Sequence, residues 1–211
     1  MNFLRSLVVL ATVCIGGSAG AAVEPTLAAK VGVWTLDVSF EHPQNLVMRV
    51  PGEGVKKFWY ILATVTNNTG KEVEFYPSAQ LVTDTYKSYQ ANEGLRKSVF
   101  DKIKQRHHSR YPFLESFETV DNMVLQGEDN AKDIAIVFPD FDPNARSIKI
   151  YITGLSNETV IIDHPTQIDE SGKPVGVILK KTLELEYAIP GDKAVRERDG
   201  LVLTSKRWVM R

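Results

Sequence analysis

The run FWYILATVT, residues 58–66, is apolar on both sides of an extended chain, and it constrains the fold more than any other segment. Successive side chains of a strand point to opposite faces of the sheet. One face of this run carries Trp59, Ile61 and Val65, while the other begins with bulky residues and ends in threonine. The run therefore predicts a central strand that other structure covers on one side and partly covers on the other.

A turn follows this run. The segment NNTGK, residues 67–71, offers asparagines and a glycine that tolerate a positive φ, and the next apolar segment, VEFYP, is extended as far as Pro77. These features predict either a hairpin or a short turn that crosses to another sheet. Further segments with the composition and alternation of strands lie at residues 31–40, 80–86, 133–138, 147–155, 159–163, 179–190 and 201–210.

Turn residues rather than regular helices separate these segments, and this arrangement is typical of an antiparallel β-sandwich, here of roughly eight strands. One segment departs from the two-residue period, because Leu95, Val99 and Ile103 recur every four residues within residues 92–108. Such spacing predicts a short amphipathic helix that packs on the sandwich. The sequence therefore predicts a mainly β domain with one helical insertion.

The first 22 residues have the layout of a secretory signal peptide. Arg5 precedes an apolar run from residue 7 to residue 15, and small residues end the segment at Ala21 and Ala22. The apolar run is too short for a permanent membrane-spanning helix, and no later segment is long and apolar enough, so no transmembrane anchor is expected. We expect a single mature domain, residues 23–211, located in the periplasm or outside the cell.

Charge and cysteine content exclude several classes of function. The chain has 25 Lys plus Arg and 26 Asp plus Glu, and loss of Arg5 with the signal leaves 24 against 26, a net charge of −2. Nucleic-acid-binding domains need an excess of positive charge, so no nucleic acid is expected as a partner. Cys14, the only cysteine, lies in the predicted signal. The mature chain is therefore expected to lack disulfides, cysteine metal ligands and cysteine nucleophiles.

The motif DFDPN is the best candidate for a metal site. Its residues Asp140, Asp142 and Asn144 alternate as the first oxygen ligands of a calcium loop do, but the glycine and the final acidic residue of an EF-hand are missing. A looser calcium site that also includes Glu128 or Asp129 is one interpretation. A turn held by hydrogen bonds of its own Asp and Asn side chains is the other. No other cofactor is predicted.

The predicted helix carries a cluster of positive charge. This surface could bind an anionic glycan, a lipid headgroup or an acidic protein, or it could be the solvated face of an amphipathic helix. His107 and His108 follow the cluster, and adjacent residues of a helix point ~100° apart, so the two imidazoles cannot face one metal ion unaided. The candidate binding residues are Arg96, Lys97, Lys102, Lys104 and Arg106.

Three segments in this order, FWYILATVTNNTGKEVEFYP, MVLQGEDNAKDIAIVF and SIKIYITGLSNE, resemble uncharacterised exported bacterial proteins with an immunoglobulin-like β-sandwich. In those proteins a strand that ends in Asn and a Gly-containing turn is followed by a Gly–Glu step and a strand that ends in Phe. The corresponding residues here are Gly127, Glu128 and Phe138. The resemblance covers roughly residues 30–160 and implies an immunoglobulin-like antiparallel sandwich, but it implies no activity.

Two functions are compatible with the sequence. The first is a non-catalytic module of the bacterial envelope that binds a protein or an anionic glycan, or takes part in an assembly, through loops, sheet edges or the helix. The second is a hydrolase that uses loop carboxylates, with calcium in support. Its candidate residues are Glu128, Asp129, Asp140 and Asp142. No group of residues has the spacing of a known catalytic constellation, so the sequence favours a binding protein over an enzyme.

Overall fold

The computed structural model describes residues 32–191 and 200–211, and the predicted signal peptide lies outside them. Thirteen strands and one α-helix make up the regular structure of these residues. No helix among them is long and apolar enough to cross a membrane. The strands are β1 (Asp37–Phe40), β2 (Gln44–Val50), β3 (Gly54–Thr66), β4 (Val73–Glu74), β5 (Ser78–Thr83), β6 (Ser88–Gln90), β7 (Glu115–Ser116), β8 (Met123–Val124), β9 (Lys132–Pro139), β10 (Ser147–Thr153), β11 (Thr159–Ile168), β12 (Pro174–Ala188) and β13 (Val202–Met210), and the helix is α1 (Lys97–His107).

Most strands belong to two large sheets. In the first sheet, β9 pairs with one edge of β3, and β7 pairs with the far edge of β9. Both β2 and β1 pair directly with the other edge of β3, β2 with residues 54–60 and β1 with residues 63–66. In the second sheet, β12 lies between β13 and β10, and β5 and β6 continue beyond β10. The short strands β4 and β8 pair only with each other. Every pair is antiparallel except β7 with β9, so the predicted mainly β, antiparallel architecture is confirmed.

The two sheets pack face to face through a hydrophobic core. From the first sheet, β3 contributes Trp59, Ile61 and Val65, each at most 4% exposed. From the second sheet, β10 contributes Ile150 and β12 contributes Leu185, both almost fully buried. These residues alternate along their strands, because successive side chains point to opposite faces.

A second hydrophobic core lies on the outer side of the first sheet, where α1 covers it. Val99 and Ile103 of α1 are fully buried, and they belong to the same cluster as Tyr60 and Leu62 of β3. Both faces of β3 are therefore buried. This confirms the central strand that the apolar run at residues 58–66 predicts.

The helix begins later than the sequence predicts. Its apolar spacing favours a start near residue 92, but α1 begins at Lys97. Asn92 and Gly94 have φ values of 60° and 64°, in the left-handed region that a right-handed helix cannot contain. Residues 92–95 therefore form a turn that leads into the helix.

The turn after β3 crosses between sheets and does not close a hairpin. Val73 and Glu74 of β4 pair with β8, which is distant in the chain, and β5 belongs to the second sheet. Of the two interpretations of NNTGK, the hairpin is wrong and the crossing is right. The strand β2 was not predicted, although its residues Leu46, Met48 and Val50 recur every two positions and pack in one hydrophobic cluster.

The β11–β12 hairpin extends beyond the rest of the second sheet. Residues 174–180 of β12 pair with β11, whereas β13 and β10 pair only with the later part of β12. This two-stranded projection is called the arm below. The sequence predicts its two segments, at residues 159–163 and 179–190, but not that β12 continues to Pro174.

Candidate functional site

A depression of about 580 Å³ lies where the connection between β4 and β5 meets the end of β6 and the loop from β7 to β8. Tyr76 forms part of its wall and is 62% exposed, which is unusual for an aromatic side chain beside a cavity. This depression is called the Tyr76 groove below. The residues that line it include Tyr76, Gln90, Glu93, Phe117, Glu118 and Asn122.

Backbone pairing brings the walls of the Tyr76 groove together. The N–H of Phe75 donates to the carbonyl of Asn122 at 2.7 Å, directly after the β4–β8 pair. The N–H of Phe117 donates to the carbonyl of Ala135 at 3.3 Å and so ties the loop to β9. The walls of the groove are therefore held by the β4–β8 pair and by a hydrogen bond to β9 of the first sheet, and not by free loops alone.

Asn92 fixes the wall that carries Glu93. The backbone N–H of Asn92 donates to the carbonyl of Val137 at 2.7 Å, and its Oδ1 accepts from the Val137 N–H at 2.9 Å. Its Nδ2 donates to Ser116 Oγ at 3.2 Å. Asn tolerates the positive φ found here better than most residues, so one side chain satisfies both the backbone geometry and the buried hydrogen bonds.

Gly154 allows a close backbone contact on the other side of Tyr76. A Cβ on Gly154 would lie 2.5 Å from the carbonyl oxygen of Tyr76 and 2.8 Å from the Cα of Pro77. The residue also has a φ of 87°. Only glycine fits both conditions, so the loop after β10 can press against the Tyr76 backbone.

Four polar side chains of the groove are available to a ligand. Within residues 32–191 and 200–211, the side chains of Gln90, Glu93, Glu118 and Asn122 make no hydrogen bond or ion pair. Two of them are amides, which both donate and accept hydrogen bonds, and two are carboxylates, which accept. Among the residues that the structure describes, no lysine or arginine lines the groove.

The groove continues at both ends. A depression of about 370 Å³ shares Tyr76 and Ser78 with it and is also lined by Trp34. A depression of about 440 Å³ shares the turn of Asn92 and Glu93. The three depressions therefore follow one another along the surface, with Tyr76 on the wall between two of them.

The cationic residues of α1 do not all face solvent freely. Arg96 forms a salt bridge of 2.9 Å with Glu53, and Arg106 donates to the carbonyl of Asn45 at 3.0 Å. Lys102 donates to Gln105 at 3.0 Å. In the described part of the chain, the ammonium groups of two further candidates have no hydrogen-bond or ion-pair partner. These are Lys97 and Lys104.

The DFDPN segment is a hydrogen-bonded turn between β9 and β10. The Asp142 carboxylate accepts from the Asn144 N–H, from Thr85 Oγ1 and from Lys87 Nζ, each at 2.9 Å. These contacts lower the pKa of Asp142 to about 2, the Asn144 N–H having the largest effect. Asp140 accepts from the indole Nε1 of Trp59 at 2.9 Å.

Other possible calcium ligands lie apart from this turn. Glu128 and Asp129 are exposed in a short 3₁₀ turn before β9. Among the described residues, no group of three or more His, Cys, Asp or Glu side chains is arranged to hold a metal ion. The calcium site and the carboxylate hydrolase therefore stay predictions.

A network of polar side chains joins α1 to the first sheet. Tyr60 donates to Gln44 Oε1 at 3.1 Å and accepts from Arg106 at 3.1 Å. His107 Nε2 lies 2.9 Å from the Tyr60 hydroxyl. Because that hydroxyl has one proton, which Gln44 accepts, Nε2 of His107 carries the hydrogen of this third bond. Gln44 in turn donates to Glu41 Oε2 at 2.9 Å.

Burial shifts the pKa values of this network. It raises the pKa of the Tyr60 hydroxyl and lowers the pKa of the His107 imidazole. Burial also raises the pKa of Tyr111, which donates to Glu41 Oε1 at 2.8 Å. The groups whose pKa values are shifted therefore make hydrogen bonds that hold the α1 region against the first sheet. No pattern in the sequence indicates this network, since Glu41 and Tyr111 are 70 residues apart.

Comparisons with known proteins add no functional assignment. No family model matches the chain, and no curated protein or solved structure matches it at a significant level.

Proposed function

We propose that this protein is an exported, non-catalytic binding module of the bacterial envelope, and that the Tyr76 groove binds an uncharged oligosaccharide. The observation that carries this proposal is the exposed ring of Tyr76 next to four amide and carboxyl side chains without partners. We further infer that its two antiparallel sheets form an immunoglobulin-like sandwich, a fold that displays binding sites on its loops.

The aromatic part of the groove suits a sugar ring. A pyranose has faces of C–H groups that pack against the face of an aromatic ring, while its hydroxyls point outward. Contacts at Phe75 and Gly154 fix the backbone at Tyr76, and a tyrosine side chain has only two torsion angles to order when a ligand packs on it. An exposed aromatic side chain of this kind is a favourable anchor for binding.

The polar part of the groove suits hydroxyl groups. Gln90 and Asn122 can each donate and accept, and Glu93 and Glu118 can accept from adjacent hydroxyls of one ring. The carboxylates disfavour an anionic ligand by charge repulsion. An anionic glycan, which the helix residues predict, would therefore bind at α1 and not in this groove.

The size of the groove favours a chain of several sugars. Its volume of about 580 Å³ lies within the usual range for small-molecule sites. The adjoining depressions extend it past Trp34 in one direction and past Glu93 in the other. An open channel of this form accommodates an internal segment of a polymer as well as an end.

The positions of the shifted titratable groups support a non-catalytic role. Catalytic acids and bases usually have pKa values adjusted to their task and face the substrate. Here the shifted groups Tyr60, His107 and Asp142 make hydrogen bonds between strands, helix and loops, and none of them lines the Tyr76 groove.

The proposal is tested by binding of uncharged oligosaccharides of increasing length, measured by glycan array and then by titration calorimetry. We expect the mature wild-type protein to bind, and Tyr76→Ala to weaken binding at least about tenfold, since loss of an aromatic anchor typically costs ~2 kcal/mol. Tyr86→Ala is the matched control, because Tyr86 is 95% exposed and lies outside the groove.

Two results would contradict the proposal. One is the absence of oligosaccharide binding across the array, and the other is an equal loss of affinity in Tyr76→Ala and Tyr86→Ala. Cleavage of a bound oligosaccharide by the wild-type protein would instead favour the hydrolase. Thermal unfolding of both variants checks that neither change alters the fold.

A further inference from the structure

The arm presents an apolar surface on one of its two faces. Ile161 and Ile178 are directly opposite each other in the β11–β12 register and are 70% and 61% exposed. Ile168 is opposite Pro174 near the tip and is 69% exposed. Residues at 174 and 178 of β12 point to the same side, as do opposite residues of a pair. The three exposed isoleucines of the described chain therefore share one face, called the arm face below.

The exposed apolar arm face is expected to be covered by another surface. An isolated two-stranded hairpin is at best marginally stable in water, and contiguous exposed apolar residues usually mark an interaction site. The arm extends from a well-packed sheet, yet its residues from Thr159 to Ile168 include no fully buried side chain. Burial of the arm face would stabilise the projection and remove the three isoleucines from water.

We propose that the arm face binds the arm face of a second copy of this protein, in a symmetric dimer whose arms run antiparallel. The two-fold axis passes between the Ile161–Ile178 pairs and crosses the strands at right angles. Each isoleucine of the pair then packs against the same residue of the partner subunit. The contact is isologous, as in most two-fold protein dimers.

Charge complementarity selects this antiparallel arrangement. On the arm face, Lys180 lies two residues from Ile178 toward the base of the arm. Gly176 and Asp163 are opposite each other, two residues from the Ile161–Ile178 pair toward the tip. Reversal of the arm places Lys180 above Gly176 of the partner subunit and beside Asp163 of the partner subunit. A parallel arrangement would instead place Lys180 above Thr159 of the partner subunit, with no opposite charge nearby.

Gly176 provides the space for this contact. A Cβ at that position would lie 3.1 Å from Cγ2 of Ile161, so a larger residue would crowd the isoleucine. The missing side chain also leaves an opening next to Asp163. A lysine from the opposite arm can enter this opening and reach the carboxylate.

The size of the contact predicts a weak dimer. The paired part of each arm is about 20 Å long and about 10 Å wide, from six steps along β12 and two strands across. Two such surfaces cover roughly 400 Å² in total, well below the size of standard specific interfaces, so we expect dimers only at high protein concentration.

The experiment measures self-association of the mature protein by sedimentation velocity, from low micromolar to near-millimolar concentration. We expect the wild type to form dimers reversibly, and Ile161→Asp to raise the dimer dissociation constant at least about tenfold. Val55→Asp is the matched control, since Val55 is 63% exposed on the separate β2–β3 hairpin.

A charge exchange distinguishes a second copy from any other occupant. Lys180→Glu and Asp163→Lys should each weaken the dimer, and the double variant Lys180→Glu/Asp163→Lys should restore it. Within one subunit, Asp163 is opposite Gly176, and Lys180 lies four residues from Gly176 along β12. The two side chains are therefore too far apart to pair within one arm, so the restored contact must be between subunits. A wild type that stays monomeric at all concentrations overturns the proposal, and so does a double variant as weak as the single ones. These readouts do not depend on oligosaccharide binding.

Discussion

The imidazole of His107 is expected to make the stability of the protein depend on pH. Burial lowers the pKa of His107 below its ordinary value of 6.5, so between the two pKa values the unfolded chain binds a proton more readily than the folded protein does. This contribution to stability is complete above pH 6.5 and decreases as the pH falls through 6.5 toward the folded pKa. We expect the free energy of unfolding, measured with urea, to decrease from about pH 7.5 to about pH 5, and His107→Gln to reduce that decrease.

The neighbouring histidine provides the control for this prediction. His108 is exposed, whereas the ring of His107 packs edge-on near Tyr60 with 5.7 Å between ring centroids. His108→Gln should therefore keep the wild-type dependence on pH. Equal profiles for the wild type and His107→Gln would show that this imidazole does not contribute.

At the scale of elements, α1 has a buried apolar side that packs on the first sheet and an outer side that carries the candidate binding lysines. Lys97 and Lys104 are seven positions apart and so point to similar directions on the helix. We expect the double variant Lys97→Glu/Lys104→Glu to keep the wild-type melting temperature, because neither ammonium group is paired in the described structure. We also expect it to elute earlier from an anionic polysaccharide column, since it loses cationic contacts.

A control variant with the same change of charge at a distance from α1 distinguishes binding by the helix surface from a general effect of net charge. Lys71 and Lys173 are exposed in turns far from α1 in the chain. If Lys71→Glu/Lys173→Glu lowers retention as much as the helix variant does, then α1 is not a specific binding surface. Salt should weaken retention of the wild type in either case.

Elements whose pattern is local could be predicted from the sequence. The apolar run of β3 and the four-residue spacing of Val99 and Ile103 predict a buried strand and a helix, because period and burial are properties of one segment. Partners in space could not be predicted in this way. The pairing of β4 with β8, the contact between Glu41 and Tyr111 and the assembly of the Tyr76 groove all join segments that are distant in the chain.

At the scale of the whole molecule, the turn at Asp140 and Asp142 ties the two sheets together as it leads from β9 to β10. An ion bound there would raise the melting temperature of the whole domain. We expect calcium to leave the melting temperature unchanged, because Lys87 already pairs with the Asp142 carboxylate at 2.9 Å. Differential scanning calorimetry with and without calcium, at equal ionic strength, measures this.

The variant Lys87→Ala gives the comparison for the calcium experiment. It removes the cation beside Asp142, so any affinity of the carboxylates for calcium should appear more clearly in this variant. A calcium-dependent rise in the wild-type protein would establish the looser metal site. It would also require that Lys87 moves away from Asp142.

The central position of β3 has a consequence for the order in which this chain folds. Its long edge pairs with β9, more than sixty positions later, and the two hydrophobic clusters meet on its opposite sides. Neither cluster can be completed until β9 is available, because both clusters include side chains of β9. Pairing across such a separation is slow. Neither cluster therefore forms before about two thirds of the polypeptide has been synthesised, which makes assembly of the core a late event in folding.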